Sequence, residues 1–156
     1  MSGRSFKLIA RNRKARHDYE ILETLEAGIA LLGSEIKSLR AGKISLREGY
    51  VRVDANQAWL VGGHINLYEE ASRFNHDPLR ARKLLLHRRE IEGLRAKIEE
   101  KGLTVVPLAV YIKGGWAKVE IGLARGKKHH DRRHEERRRQ EERDAASEAA
   151  RMRGRS

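Results

Sequence analysis

After Leu123 the apolar periodicity of the chain stops, and this limits what can fold. Residues 125–156 hold twelve basic and seven acidic side chains, a net +5, with almost nothing to bury. A core must therefore come from residues before 125, and the last segment reads as a basic tail, disordered when free. Glu135 and Arg139, four apart, and Glu136 and Arg139, three apart, would support a helix there once a partner ordered it. The same charge run also fits a solubilising terminus. The length of 156 residues suits one ordinary domain plus such a tail.

Upstream, residues 1–16 carry six basic side chains and no acid, which reads as a flexible N-terminal arm. From Asp18 to Leu32 the composition would allow a helix, but the spacing of Tyr19, Ile21 and Leu25 favours strands. Ser34 is the expected N-cap of a helix that Gly42 ends, with Lys37 and Arg40 on one face. Residues 50–53 and 58–61 read as a hairpin around Asp54–Gln57, and His64–Tyr68 alternates again. Asn75–Pro78 reads as a loop, because the residue before a proline is pushed from helical geometry. Lys83–His87 fits a short strand. Arg88–Lys101 is the clearest helix, with Ile91, Leu94 and Ile98 on one face and Gly102 as its stop. Residues 104–112 and 116–123 form a second hairpin across Gly114-Gly115. The body is thus residues 17–124.

The net charge of +12 points to a polyanionic partner. No run of about 18 apolar residues offers a membrane span, and the basic N-terminus lacks the apolar stretch of a signal peptide. Cysteine is absent, which removes disulfides and thiolate metal sites and fits a cytoplasmic location. Aromatic residues make up only 5% of the chain, and no RRM signature occurs. The favoured mode is recognition of structured RNA by its backbone and shape. Nothing points to catalysis. No nucleophile elbow, phosphate loop or zinc-protease motif is present, and Asp18, Glu20 and Glu35 have no evident acid–base partner. His129, His130 and His134 sit among arginines in a segment that cannot hold rigid ligand geometry, so neither metal nor cofactor is expected. His64 is better read as a structural or RNA-contacting imidazole than as a base.

Six segments, in order, resemble one family. They are Asn12-Arg13-Lys14-Ala15 with His17-Asp18-Tyr19, then GIALLGSEIKSLR from Gly28 to Arg40, GHINLY from Gly63 to Tyr68, RKLLLHRREI from Arg82 to Ile91, GLTVVPL from Gly102 to Leu108, and GKKHHDRR from Gly126 to Arg133. Together they resemble the SsrA-binding proteins, also called small protein B. The resemblance implies a mainly β fold: an OB-like antiparallel barrel with about three flanking helices. It implies a non-enzymatic adaptor that binds the tRNA-like domain of transfer-messenger RNA (tmRNA) and is delivered with elongation factor Tu. The complex enters the vacant A site of stalled ribosomes, where the tail becomes helical in the empty message channel near the small-subunit decoding centre. The unfinished protein is then tagged for degradation. On this reading Asn12, Glu35, Lys37, His64, Arg82 and Lys83 contact the RNA. Lys127, Lys128, Asp131, Arg132 and Arg133 seat the tail on the ribosome, and the protein is a monomer free of membranes. The family commonly has lysine at the position of Arg132, a point charge in place of a planar fork. The alternative is another structured-RNA or ribosome-associated OB-like protein, such as an assembly factor.

Overall fold

The structure, a computed structural model, describes residues 5–68, 75–127 and 143. The chain divides into two units, Met1–Arg125 and Gly126–Ser156, and the strands and helices with defined bounds among the described residues lie in the first, apart from the final residue of the last strand. In chain order they are β1 (Phe6–Arg11), α1 (Arg13–Asp18), β2 (Tyr19–Ile29), α2 (Gly33–Arg40), β3 (Ile44–Ser45), β4 (Tyr50–Val53), β5 (Ala58–Val61), β6 (His64–Ile65), β7 (Arg82–Leu85), α3 (Arg88–Lys101), β8 (Thr104–Lys113) and β9 (Trp116–Gly126). Seven strands form one sheet in the order β1-β8-β9-β2-β7-β5-β4, and β3 pairs β6 separately. Among the described residues the fold is mainly β with three helices, in keeping with the OB-like expectation. The sheet is open rather than closed: its edge strands β1 and β4 do not pair, although β4 lies against β8.

Local chemistry accounts for most elements. Gly114 and Gly115 have φ of 58° and 83°, as a tight primed turn requires at both central residues, and this turn joins β8 to β9. Gly102, at φ 62°, ends α3 in the left-handed conformation. Ile91 and Leu94 of α3 are buried. The main cluster gathers Ala27, Leu39, Leu60, Leu84, Leu94, Val105, Val110, Val119 and Ile121.

Three expectations need correction. The basic arm is instead structured: β1 pairs antiparallel with β8, from Phe6↔Lys113 to Arg11↔Ala109, and α1 follows. An edge strand is held largely by backbone bonds to a distant partner, and only Ile9 of its side chains packs against the main cluster. A count of charges cannot see such pairing. Second, α2 starts two residues early, with Leu32 rather than Ser34 as N-cap and Ala41 as C-cap. Ser34 lies inside the first turn because its hydroxyl is engaged by His76 rather than by the helix backbone. Third, only His64 and Ile65 of the alternating His64–Tyr68 stretch form a strand, because their partner β3 is itself two residues long.

Candidate nucleic-acid interface

The first turn of α2, the 75–80 loop and the start of β7 meet around one carboxylate. Glu35 Oε1 accepts the Leu32 N–H at 2.8 Å, the backbone half of a capping box. It also accepts from Arg80 Nη2 at 2.5 Å, while Oε2 accepts from Arg82 Nε at 2.6 Å. Burial alone would raise the Glu35 pKa. The bonds from Arg80, the Leu32 N–H and Arg82 outweigh it and hold the carboxyl below its ordinary range. Arg82 then donates Nη1 to Gly63 O at 2.8 Å and Nη2 to Pro78 O at 3.1 Å. One buried guanidinium thereby ties α2 to the residue before His64 and to the 75–80 loop.

A second polar tie lies beside it. His76, itself buried, has Nε2 2.9 Å from Ile65 O and Nδ1 2.8 Å from Ser34 Oγ. A carbonyl only accepts, so Nε2 carries a proton and donates to Ile65 O, while Nδ1 shares a hydrogen bond with the Ser34 hydroxyl, which can serve as donor or acceptor. Asn75 exchanges two bonds with the Tyr68 backbone, at 2.8 and 3.2 Å. The Lys37 ammonium stands 5.5 Å from the Tyr68 ring centroid, within cation–π range.

The six body residues singled out in the sequence divide in two. Asn12, Glu35 and Arg82 are buried, so their side chains face the protein in this conformation rather than an RNA. Asn12 caps α1 by accepting from the Ala15 N–H at 3.1 Å, and donates to Leu46 O and Pro107 O at 3.0 and 2.9 Å. Lys37, His64 and Lys83 are exposed. Glu35, Lys37, His64 and Arg82 share the α2–β6 region, with Lys37 and His64 as its outward groups. Lys83 belongs elsewhere, because alternation on β7 turns Arg82 inward and Lys83 outward. It lines a groove of about 520 Å³ with Glu26, Gln57, Leu85, His87 and Lys118. Asn12 lies apart from both. Of the tail residues, Lys127 is exposed just past β9, and Lys128, Asp131, Arg132 and Arg133 fall outside the described residues.

Arg80, His76 and Lys118 were not among the sequence-derived candidates. Their roles depend on partners far along the chain, such as Ser34, 42 positions from His76. The same holds for Glu26, whose Oε2 accepts the Tyr111 hydroxyl at 2.5 Å. That bond, aided by Lys113, lowers the Glu26 pKa against the opposing effect of burial. Burial and the Glu26 carboxylate together raise the Tyr111 pKa. Among the described residues no three His, Asp or Glu side chains gather as metal ligands. No described helix is long and apolar enough to cross a membrane.

Exposed Lys37 and His64 thus stand on a buried polar frame, and Lys83 and Lys118 line a separate groove, placements suited to phosphate contacts. The family model described as SmpB protein matches residues 9–151. The chain is 57% identical over 141 residues to an SsrA-binding protein of Microcystis aeruginosa, covering 90% of this chain and 92% of the relative. It is 57% identical over 145 residues to an SsrA-binding protein of Solidesulfovibrio magneticus, covering 93% and 94%. Among solved structures, a chain from the work described as "tmRNA-SmpB: a journey to the center of the bacterial ribosome" superposes with a TM-score of 0.66 at 54% identity, over 78% of this chain and 85% of that one. The chain belongs to the SmpB protein family, whose members include the SsrA-binding proteins.

Proposed function

We propose that this chain is a tmRNA-binding adaptor of trans-translation, acting on the ribosome as a binding protein and not as an enzyme. The observation that carries the reading is the 57% identity to proteins named for binding SsrA, spread over nine-tenths of the chain. The protein holds the tRNA-like domain of tmRNA, travels with elongation factor Tu as a cytoplasmic monomer, and enters a vacant A site. Exposed Lys37, His64 and Lys83, with the half-buried Lys118, contact phosphates and 2′-hydroxyls. Buried Asn12, Glu35 and Arg82 act through position, holding the loops that carry those groups. The basic tail, including Lys127, Lys128, Asp131, Arg132 and Arg133, occupies the empty message channel as a helix. A channel walled by RNA phosphates draws in the +5 of residues 125–156, and a resident message excludes it.

Purifying the full chain from cells and sequencing the RNA that accompanies it tests the reading directly. A single dominant tRNA-like RNA with an open reading frame is the expected product. A spread of ribosomal precursor fragments would instead indicate an assembly factor.

A further inference from the structure

At one end of the large sheet, strand register places three side chains in a row: Phe6 on β1, Lys113 on β8 and Trp116 on β9. The next row on that face is Leu8, Tyr111 and Lys118, and the next is Arg11, Ala109 and Glu120. Phe6 and Trp116 are 63% and 73% exposed, whereas Tyr111 is buried. The Phe6 ring lies 5.0 Å from the Tyr111 ring at 36°, so an aromatic floor supports it. A cleft of about 410 Å³ runs beside this contact, between Arg11, Arg16, Lys113 and Glu120.

Aromatic residues are few in the whole chain, eight of 156, yet the fold brings three of them to this one sheet end. Exposed apolar surface of this kind marks a contact site. A protein partner would use Phe6, Leu8 and Trp116 but have little use for the cations around them. Arg11, Arg16, Lys113 and Lys118 outnumber the carboxylates Glu26 and Glu120 on and beside this face. Single-stranded nucleic acid engages both kinds of group, with bases on the rings and phosphates on the cations.

We propose that the end of the sheet formed by β1, β8 and β9 is a stacking platform for unpaired nucleotides. One base lies on Phe6 and another on Trp116, and Lys113 between them takes the phosphate. The platform adjoins the Lys83 groove through Lys118 and Glu26, which also line that groove. An RNA held by its structured part in the groove could thus lay a flanking single strand on the rings. The inference needs only that the ligand be RNA, and does not depend on the rescue reading.

The test uses the full chain carrying Trp59→Phe, which leaves Trp116 as the only tryptophan. Oligoadenylate of about ten nucleotides is titrated while Trp116 emission is followed, and a blunt RNA duplex of equal length is run in parallel. Saturable quenching by oligoadenylate, and not by the duplex, is expected. Binding is measured independently by anisotropy of labelled oligoadenylate with the otherwise unaltered chain, so the result stands even if Trp59→Phe folds poorly. There Phe6→Ala should weaken binding roughly ten-fold, the lower part of the range for loss of one stacked base, and Phe6→Tyr should restore it. Lys113→Ala should shallow the salt dependence by about 0.7 in log–log slope. If Phe6→Ala combined with Trp116→Ala binds oligoadenylate like the parent, the proposal falls and the patch is left to a protein partner. Duplex RNA binding should persist in these variants whichever way the platform test turns out, which keeps it separate from the groove.

Discussion

Glu35 Oε2 lies 2.6 Å from Arg82 Nε, and neither side chain has any accessible surface. Two charges removed from water are costly unless every polar atom finds a partner. Here the remaining atoms are served by Arg80, the Leu32 N–H and the carbonyls of Gly63 and Pro78. The pair is therefore a joint between α2, β7 and two loops, and removing one member strands the other. Glu35→Ala should cost about 3–5 kcal/mol, seen as a lower urea midpoint with an unchanged slope. RNA affinity, measured on the folded fraction, should fall only through displacement of Lys37 and His64. A large affinity loss at full stability would put Glu35 in direct contact with RNA.

The same carboxyl sets an acid limit. Glu35 titrates below its ordinary 4.5 in the folded protein because Arg80, the Leu32 N–H and Arg82 outweigh the effect of burial. A depressed carboxyl contributes stability that is present above the unfolded value and lost as pH falls through the folded one. Melting temperature should thus hold steady from pH 7 to about 5 and decline below about 4.5, the unfolded range. Glu35→Gln starts less stable and should show a shallower acid decline. If wild type and Glu35→Gln lost stability in parallel between pH 5 and 3, the pair would not be the source of the acid limit.

Elements specified by neighbours were legible in the sequence. Gly114-Gly115 forces a tight turn, Gly102 stops α3, and Ile91 and Leu94 mark its buried face. What distant partners decide was not. β1 is a strand because β8 lies beside it, about a hundred positions along the chain, and its six residues carry no local signature of that. The site divided the same way. Lys37, His64, Lys83 and Arg82 were all assigned to the RNA surface through the family resemblance; the first three do face solvent, whereas Arg82 is buried. Parity on β7 separates Arg82 from Lys83. That separation needs the inward row to be known, and Leu84 alone could not fix it.

Gly62 offers a purely steric prediction. Its φ is 77°, and an added Cβ would stand 2.5 Å from the Glu48 carbonyl oxygen, a backbone atom that cannot swing away. Gly62 precedes Gly63, whose carbonyl Arg82 holds, so the strain would reach His64. Gly62→Ala should destabilise by at least about 1 kcal/mol, from the left-handed backbone alone. Thermal melting checks this. Gly33→Ala is the control, since its Cβ would meet nothing within 4 Å and its φ is not positive.

Lys83 should behave as a phosphate contact. It is exposed on β7, above the groove shared with His87 and Lys118. Lys83→Ala should weaken RNA binding alike across sequences and reduce the slope of log K against log salt by roughly 0.7–0.9. Stability should stay within about 0.5 kcal/mol of the parent, as for exposed positions generally. A variant with reduced affinity but an unaltered slope would show that Lys83 does not neutralise a phosphate.

Truncation after Gly126 separates the body from the tail. Every buried core residue among those described lies at or before Ala124, so the melting temperature of the body should be nearly unchanged. The cut removes eleven basic and seven acidic side chains, a net +4. Much of that charge is screened beyond about 8 Å at physiological salt, so binding of isolated tmRNA should fall only a few-fold. Tagging of proteins on stalled ribosomes should nevertheless be lost, because the tail is proposed to fill the message channel. Arg138→Pro asks the finer question. Proline costs about 3 kcal/mol within a helix and little in an unstructured chain. Free protein and its RNA complex should therefore tolerate it, while tagging drops steeply. Replacing Asp131, Arg132 and Arg133 together by alanine should have the same signature. If Arg138→Pro tags as well as the parent, the tail does not act as a helix. If the truncated chain itself still tags, the tail has no part in the mechanism and the adaptor reading gives way to a ribosome-associated role of another kind.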